Sequence, residues 1–298
     1  MATLVCLGLG YCAQHYVAEF GARFSRIIGT TRTAESAAVI RARNFGGRTV
    51  EMLVFDGERA TPDLIAALAD ADALLISAAP DHHGDPVLTV CSEALAKAPH
   101  LRMIVYLSTI GVYGDHGGRW VDEDTAPAPL TERSRQRVEA ERAWQDLSRQ
   151  RGIPVAILRL AGIYGPGQNA LVNLMRGRAR RIVKPGQVFN RIHVADIAQA
   201  IEAAFAREAE GVFNLADDEP GPGGDPIAFA ASLLGMAPPP EITFEEAAKT
   251  MSPMALSFYG ESKRVRNDRL KRVLGVRLRY PTYSEGLRAL HAANDAVG

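Results

Sequence analysis

A doubly wound α/β fold, with a parallel sheet covered by helices on both faces and a smaller C-terminal region beside it, is what this sequence predicts. Three observations carry that expectation. The apolar run Leu4-Val5-Cys6-Leu7 ends in a glycine turn, Gly8-Leu9-Gly10, and opens a helix. Short apolar runs of strand length alternate with helical patterns from there to Leu107, and strands buried on both faces read in this continuous way. The 298 residues, 47% of them hydrophobic, are also enough to bury a large core.

The glycine turn comes first because the rest can be built around it. A dinucleotide pyrophosphate needs a backbone it can approach closely and a helix N-terminus aimed at its charge, and Gly8-x-Gly10-x-x-Ala13 offers both. Tyr11 and Cys12 begin the helix that would hold it. That helix, expected from residue 12 to about residue 24, buries Ala13, Val17 and Phe20 on one face, and the small Ala13 lets helix and strand pack closely.

The second strand, residues 25–30, ends roughly 20 residues beyond the glycines, where the ribose is read. Thr31 and Arg32 stand there instead of an acid that could accept a bond from a ribose 2′-hydroxyl. A guanidinium pairs with a 2′-phosphate through a planar fork of donors, so NADP is favoured over NAD. A third strand over 50–55 ends at Phe55 and Asp56, and a fourth over 73–77 ends at Ser77, Ala78 and Ala79, with helices at 34–43 and 61–70 between them. In a doubly wound sheet these strand ends form the rim for adenine and ribose. The loop Asp81-His82-His83-Gly84-Asp85 belongs to that rim. Adjacent histidines rarely turn to one ion, so it is not read as a metal site.

Charge and cysteine content narrow the partners. The 34 basic and 34 acidic residues cancel, giving no broad electrostatic case for nucleic acid or an anionic membrane surface. A small-molecule substrate is expected. The cysteines, Cys6, Cys12 and Cys91, are few, odd in number and set among apolar residues, so neither a disulfide framework nor a zinc set is expected, and a reduced, cytoplasmic protein is. The N-terminus lacks the basic segment of a signal peptide, and no run approaches the ~20 apolar residues of a membrane span.

The fifth strand, Met103-Ile104-Val105-Tyr106-Leu107, runs into Ser108-Thr109-Ile110-Gly111-Val112-Tyr113-Gly114. With this stretch the chain resembles the extended short-chain dehydrogenase/reductases, the NAD-dependent epimerase/dehydratase family, whose fifth strand ends in a Ser/Thr pair followed by a Val-Tyr-Gly turn. The likeness continues in Ile157-Leu158-Arg159-Leu160-Ala161-Gly162-Ile163-Tyr164-Gly165-Pro166-Gly167, in Arg191-Ile192-His193-Val194-Ala195-Asp196 and in Gly211-Val212-Phe213-Asn214-Leu215. Lys263-Arg264-Val265 through Leu274-Gly275, and Tyr283-Ser284-Glu285-Gly286-Leu287, are similar to its C-terminal helices. The resemblance implies a Rossmann-type core over 1–167, completed by 189–216, and a substrate region assembled from 168–188 and 217–298. It also implies that Ser108 and Leu160 join the cofactor rim and that Thr109 orients a substrate oxygen.

The pattern departs from the family at two places. The outer glycines of its turn are Leu7 and Ala13 here. Where the family carries Tyr-x-x-x-Lys with a glutamate four residues further on, aligning Glu141 puts Arg137 at the lysine and Arg133 at the tyrosine. A guanidinium stays protonated and cannot act as base, so the family's proton relay is missing. Arg137 could still hold ribose hydroxyls, and Arg133 an anionic group. The same residues also fit a solvated charge stripe with Glu141, over an inner face of Val138, Ala140, Trp144 and Leu147.

Tyr113 is the nearest substitute acid by sequence logic, with Tyr164, His82 and Asp81 behind it. A short helix over 171–178 and a basic loop, Arg178-Ala179-Arg180-Arg181, could meet a phosphate or carboxylate. Two functions follow: an NAD(P)-dependent oxidoreductase, epimerase or dehydratase acting on a small or nucleotide-sugar-like substrate, or a non-catalytic NADP(H) sensor. The oligomeric state is open, a homodimer included.

Overall fold

The computed structural model describes residues 2–294. In chain order the strands are β1 Thr3–Leu7, β2 Arg26–Thr31, β3 Glu51–Val54, β4 Ala73–Ile76, β5 Met103–Thr109, β6 Trp120–Val121, β7 Val155–Leu160, β8 Gly162–Tyr164, β9 Arg181–Val183, β10 Arg191–His193, β11 Gly211–Leu215, β12 Glu241–Thr243 and β13 Arg264–Val265. The α-helices are α1 Tyr11–Phe20, α2 Ala34–Arg41, α3 Pro62–Ala69, α4 Pro86–Lys97, α5 Glu132–Arg151, α6 Ala170–Met175, α7 Val194–Arg207, α8 Asp225–Leu233, α9 Phe244–Ala248, α10 Pro253–Tyr259, α11 Asp268–Arg272 and α12 Tyr283–Ala292.

Seven strands form one parallel sheet in the order β11-β7-β5-β4-β1-β2-β3. The chain runs outward from β1 through β3, then crosses back to β4. The carboxyl ends of β1 and β4 therefore flank the point where strand order reverses, which is where open α/β sheets bind ligands. Period-two alternation divides β1 between the faces: Leu4 and Cys6 join the core under α1 and α7, while Val5 and Leu7 join the core under α3, α4 and α5. The crossover helices start on side-chain caps, from Thr33, Thr61, Asp85 and Thr131, and α3 and α4 carry proline in the first turn.

Helix α1 stops at Phe20, short of the expected residue 24, because the chain tightens into a 3₁₀ turn, Gly21–Arg23, against the start of β2. A Cβ on Gly21 would come within 3.1 Å of Ile27 Cδ1, so the turn packs tightly against β2.

The remaining segments gather beside the sheet. Helices α6, α8 and α12 enclose a small core of Tyr164, Leu171, Leu174, Ala230, Ala231, Leu287 and Leu290, separate from the two cores that sandwich the sheet. The parallel pairs β8–β10 and β9–β12 belong to this region, while β13 returns to pair with β6. Arg181, read as loop, instead begins strand β9 and bonds to Glu241, because pairing with β12 needs an extended backbone there. No helix among the described residues is long and apolar enough to cross a membrane.

Candidate active site

The glycine turn is held by its neighbours. Gly8 N–H donates to Thr30 Oγ1 at 2.9 Å, and Leu9 N–H to Thr30 O at 2.8 Å. Gly8 adopts φ +90°, and a Cβ there would sit 2.9 Å from the Ala78 nitrogen. That nitrogen cannot retreat, since the amides of Ser77 and Ala78 both donate to Leu7 O at 2.9 Å. Glycine is required at position 8 for conformation and for space.

Gly10 caps α1 without a side-chain bond, and the first turn carries no acid. The N-terminal amides and the positive end of the helix dipole are therefore available to an anion, which is the fit a dinucleotide pyrophosphate needs. Cys12, buried behind the turn with its thiol pushed up to about 12 by desolvation, is inert packing. Tyr11 reaches out of the turn, donating from its hydroxyl to Pro166 O at 3.0 Å and tying α1 to the segment after β8.

The other cofactor candidates surround this turn at the strand ends. Thr31 closes β2, its hydroxyl on Thr33 O, and Arg32 follows, exposed and without an ion-pair partner among the described residues. Phe55 is buried after β3, bonded to Thr31 O, and exposed Asp56 is held below the usual carboxylate range by the backbone amides of Glu58 and Arg59. Ser77, Ala78 and Ala79 follow β4, and Leu160 ends β7 beside Thr109. In the next loop His82 and His83 are both exposed, with rings 3.8 Å apart, while Asp85 is buried as the cap of α4 and accepts from Trp144 Nε1 at 3.0 Å. No group of metal-ligating side chains occurs among the described residues.

At the end of β5 the charge-stripe reading of α5 fails. Glu141 is buried, accepts from Ser108 Oγ at 2.5 Å, and pairs with Arg159 of β7 at 2.7 Å. The solvated reading of Glu141 came from pattern alone, because its partner lies outside the helix, on β7. Arg159 in turn lies 4.8 Å from the Tyr113 ring centroid.

Tyr113 is fully buried, its hydroxyl donating to Asn214 Oδ1 at 2.7 Å, and burial raises its pKa. A proton committed inside the core does not serve a substrate in a cleft, so the expectation of Tyr113 as acid is corrected to a packing role. The Tyr164 phenol is pushed far up by burial and packs against Gly286, and Asp81 forms a loop bridge with Gly84. Thr109 is half-buried and accepts from Gly111 N–H, while Arg137 Nη1 donates to Tyr106 Oη at 3.0 Å and Leu107 O at 2.9 Å. Arg133 is exposed.

A cavity of about 540 Å³ opens between β8, α6, β10, α8 and α12. Arg176, Arg178 and Arg191 line it, with the rings of Tyr164 and Tyr283 and the amides of Asn169 and Asn173. None of its lining residues is acidic. Two cations of the expected basic loop lie elsewhere, Arg180 on Thr250 and Arg181 on Glu241.

A doubly wound sheet with a glycine turn at its switch point defines a dinucleotide-binding protein of the Rossmann type. The pattern of the NAD dependent epimerase/dehydratase family matches residues 8–216, and the chain belongs to that family. A functionally unknown conserved protein from Silicibacter pomeroyi is 47% identical, with a TM-score of 0.87 over 98% of this chain and 99% of the other. Protein YeeZ of Escherichia coli K12 is 27% identical over 94% of this chain and 97% of its own length. The dTDP-glucose 4,6-dehydratase of Bacillus anthracis, solved with NAD, has a TM-score of 0.74 at 17% identity over 99% of this chain and 98% of that one, a likeness of fold.

Proposed function

We propose that this chain is an NADP(H)-dependent oxidoreductase of its family, acting on a small substrate that carries an anionic group. The carrying observation is the cavity lined by arginines and free of carboxylates, a few residues along the chain from the segment that Tyr11 ties to the glycine turn. Guanidinium groups converging on one cavity favour a phosphate or carboxylate there.

The nicotinamide supplies reversible hydride transfer when bound. The chain's own residues bind and position. The α1 amides would hold the pyrophosphate, and Arg32, with no acid bonded to it, would pair with a 2′-phosphate. Thr109 orients a substrate oxygen, and Arg137 fixes the end of β5 while adding a permanent positive charge beneath it. Arg133 stabilises developing negative charge without giving up a proton. Residues 168–188 and 217–298 form the substrate side.

The second reading is a non-catalytic NADP(H) sensor. It is favoured by one observation, the commitment of the Tyr113 proton to Asn214 in a chain whose family tyrosine position holds Arg133.

Competitive titration of NADPH against NADH tests the cofactor. NADPH should bind at least tenfold more tightly, and Arg32→Ala should remove that preference, as expected for a charged pair worth about 1.5–3 kcal/mol. Equal affinities in the parent defeat the assignment. Single-turnover NADPH oxidation over carbonyl compounds with and without a carboxylate or phosphate tests the reaction, and tight cofactor binding with no turnover on any of them decides for the sensor.

A further inference from the structure

One arginine of the cavity is joined through its backbone to a buried carboxyl. Arg191 reaches the cavity from β10, its guanidinium 5.4 Å from the Tyr283 ring centroid and its Nη2 donating to Pro222 O at 2.6 Å. Its Nη1 is buried with no hydrogen-bond partner among the described residues. The backbone of Asp217 pairs with that of Arg191, Asp217 N–H donating to Arg191 O at 2.6 Å. Asp217 is 2% exposed, its Oδ1 accepts from Glu219 N–H at 3.1 Å, and its Oδ2 is buried without a partner. An unpaired donor and an unpaired acceptor thus belong to two residues joined through their backbones, with no hydrogen bond between their side chains.

We propose that Asp217 is a positioning residue that competes with the bound anion for Arg191, so that the cavity takes its anion with Asp217 protonated and releases it when Asp217 ionises. The proposal rests on the reading of the cavity as an anion site. An ionised carboxylate at Asp217 draws the guanidinium inward and cancels its charge, whereas a neutral one leaves that charge to the ligand.

The surroundings single out Asp217 for this role. It is faced by Arg191 from β10, by Tyr164 from β8, and by Asp218 and Glu219 of its own loop. Arg191 is faced also by Tyr283 of α12 and Asp225 of α8, and Glu219 by Asp225 and by Glu285 of α12. Asp218 is occupied by Lys271 and Asn267, Asp225 is exposed and Glu219 half-buried, which leaves Asp217 as the fully buried carboxyl of the set. Burial pushes Asp217 up to about 8, and the amide of Glu219 and the charge of Arg191 offset that only in part.

Sulfate is the probe, since its charge does not change across the window, and binding is read from the arginine guanidinium resonances in ¹⁵N NMR of the full chain. Wild type should bind about tenfold more weakly at pH 9 than at pH 6.5, and Asp217→Asn should bind equally at both. A wild type indifferent to pH, or a variant that keeps the wild-type dependence, overturns the proposal. In wild type alone, saturating sulfate should raise the midpoint of the Asp217 carboxyl titration in ¹³C NMR, by reciprocity, and an unmoved midpoint also overturns it. No sulfate binding at pH 6.5 defeats instead the reading of the cavity.

Discussion

Replacing Glu141 by glutamine measures how far the end of β5 depends on a buried charge. Both side chains of the Glu141–Arg159 pair are nearly inaccessible, at 4% and 5% exposure, and Glu141 receives both Nε and Nη2 of Arg159 as well as the Ser108 hydroxyl. Glutamine keeps the shape and an acceptor for Ser108 but leaves the guanidinium unneutralised in a dry interior. Such a loss costs about 3–5 kcal/mol. Unfolding entropy near 2.1 cal/mol/K per residue gives about 0.6 kcal/mol/K for the whole chain, so Tm should fall by about 5–8 °C in calorimetry. The double variant Glu141→Leu with Arg159→Met removes both charges and should recover most of the loss, the signature of coupling within one pair. A Glu141→Gln protein melting within about 2 °C of the parent would refute the reasoning and return Glu141 to a solvated face.

Three further outcomes are expected. Gly8→Ala forces an L residue to φ +90° and a Cβ onto the Ala78 nitrogen, so it should cost about 1–2 kcal/mol from conformation alone and weaken NADPH at least tenfold in titration. Unchanged affinity would remove the turn from the cofactor site. Tyr113→Phe strands Asn214 Oδ1 and should destabilise by about 1–3 kcal/mol in denaturant unfolding, while any single-turnover rate stays within about threefold; an abolished rate would restore Tyr113 as acid. Because the folded-state pKa of Asp217 is raised from 3.8 to about 8, its contribution to stability is whole below about pH 4 and is lost as pH rises to about 8. The stability of Asp217→Asn relative to the parent should therefore improve between pH 4 and pH 9 in unfolding titrations, and a constant difference would show an ordinary carboxyl there.

The parts of the site that were readable in the sequence are those set by local chemistry. Gly8 announces a turn because only glycine readily takes its φ of +90°, and Thr31 and Arg32 stand at the carboxyl end of β2 because strand length fixes where that strand ends. Residues whose meaning depends on a partner far along the chain were misread. Glu141 also fitted a surface stripe because Arg159, which neutralises it, lies 18 positions away, outside the helix on β7. Tyr113 looked like a substitute acid because Asn214, which accepts its hydrogen bond, lies 101 positions away.

Thr30 and Asp217 carried no signal at all. An ordinary strand threonine becomes the clamp on Gly8 only when β2 lies beside β1, and an ordinary loop aspartate becomes a buried, unpaired acid only when β10 brings Arg191 next to it. Period, turn chemistry and strand ends are consequences of covalent geometry over a few neighbouring residues, so the order of residues determines them: a parallel sheet, its switch point and the glycine turn within it. Burial, ionisation and the choice of hydrogen-bond partner depend on what the fold packs against each group. The floor of the site, the cavity of arginines and the buried acid joined to Arg191 were therefore decided only by the tertiary structure.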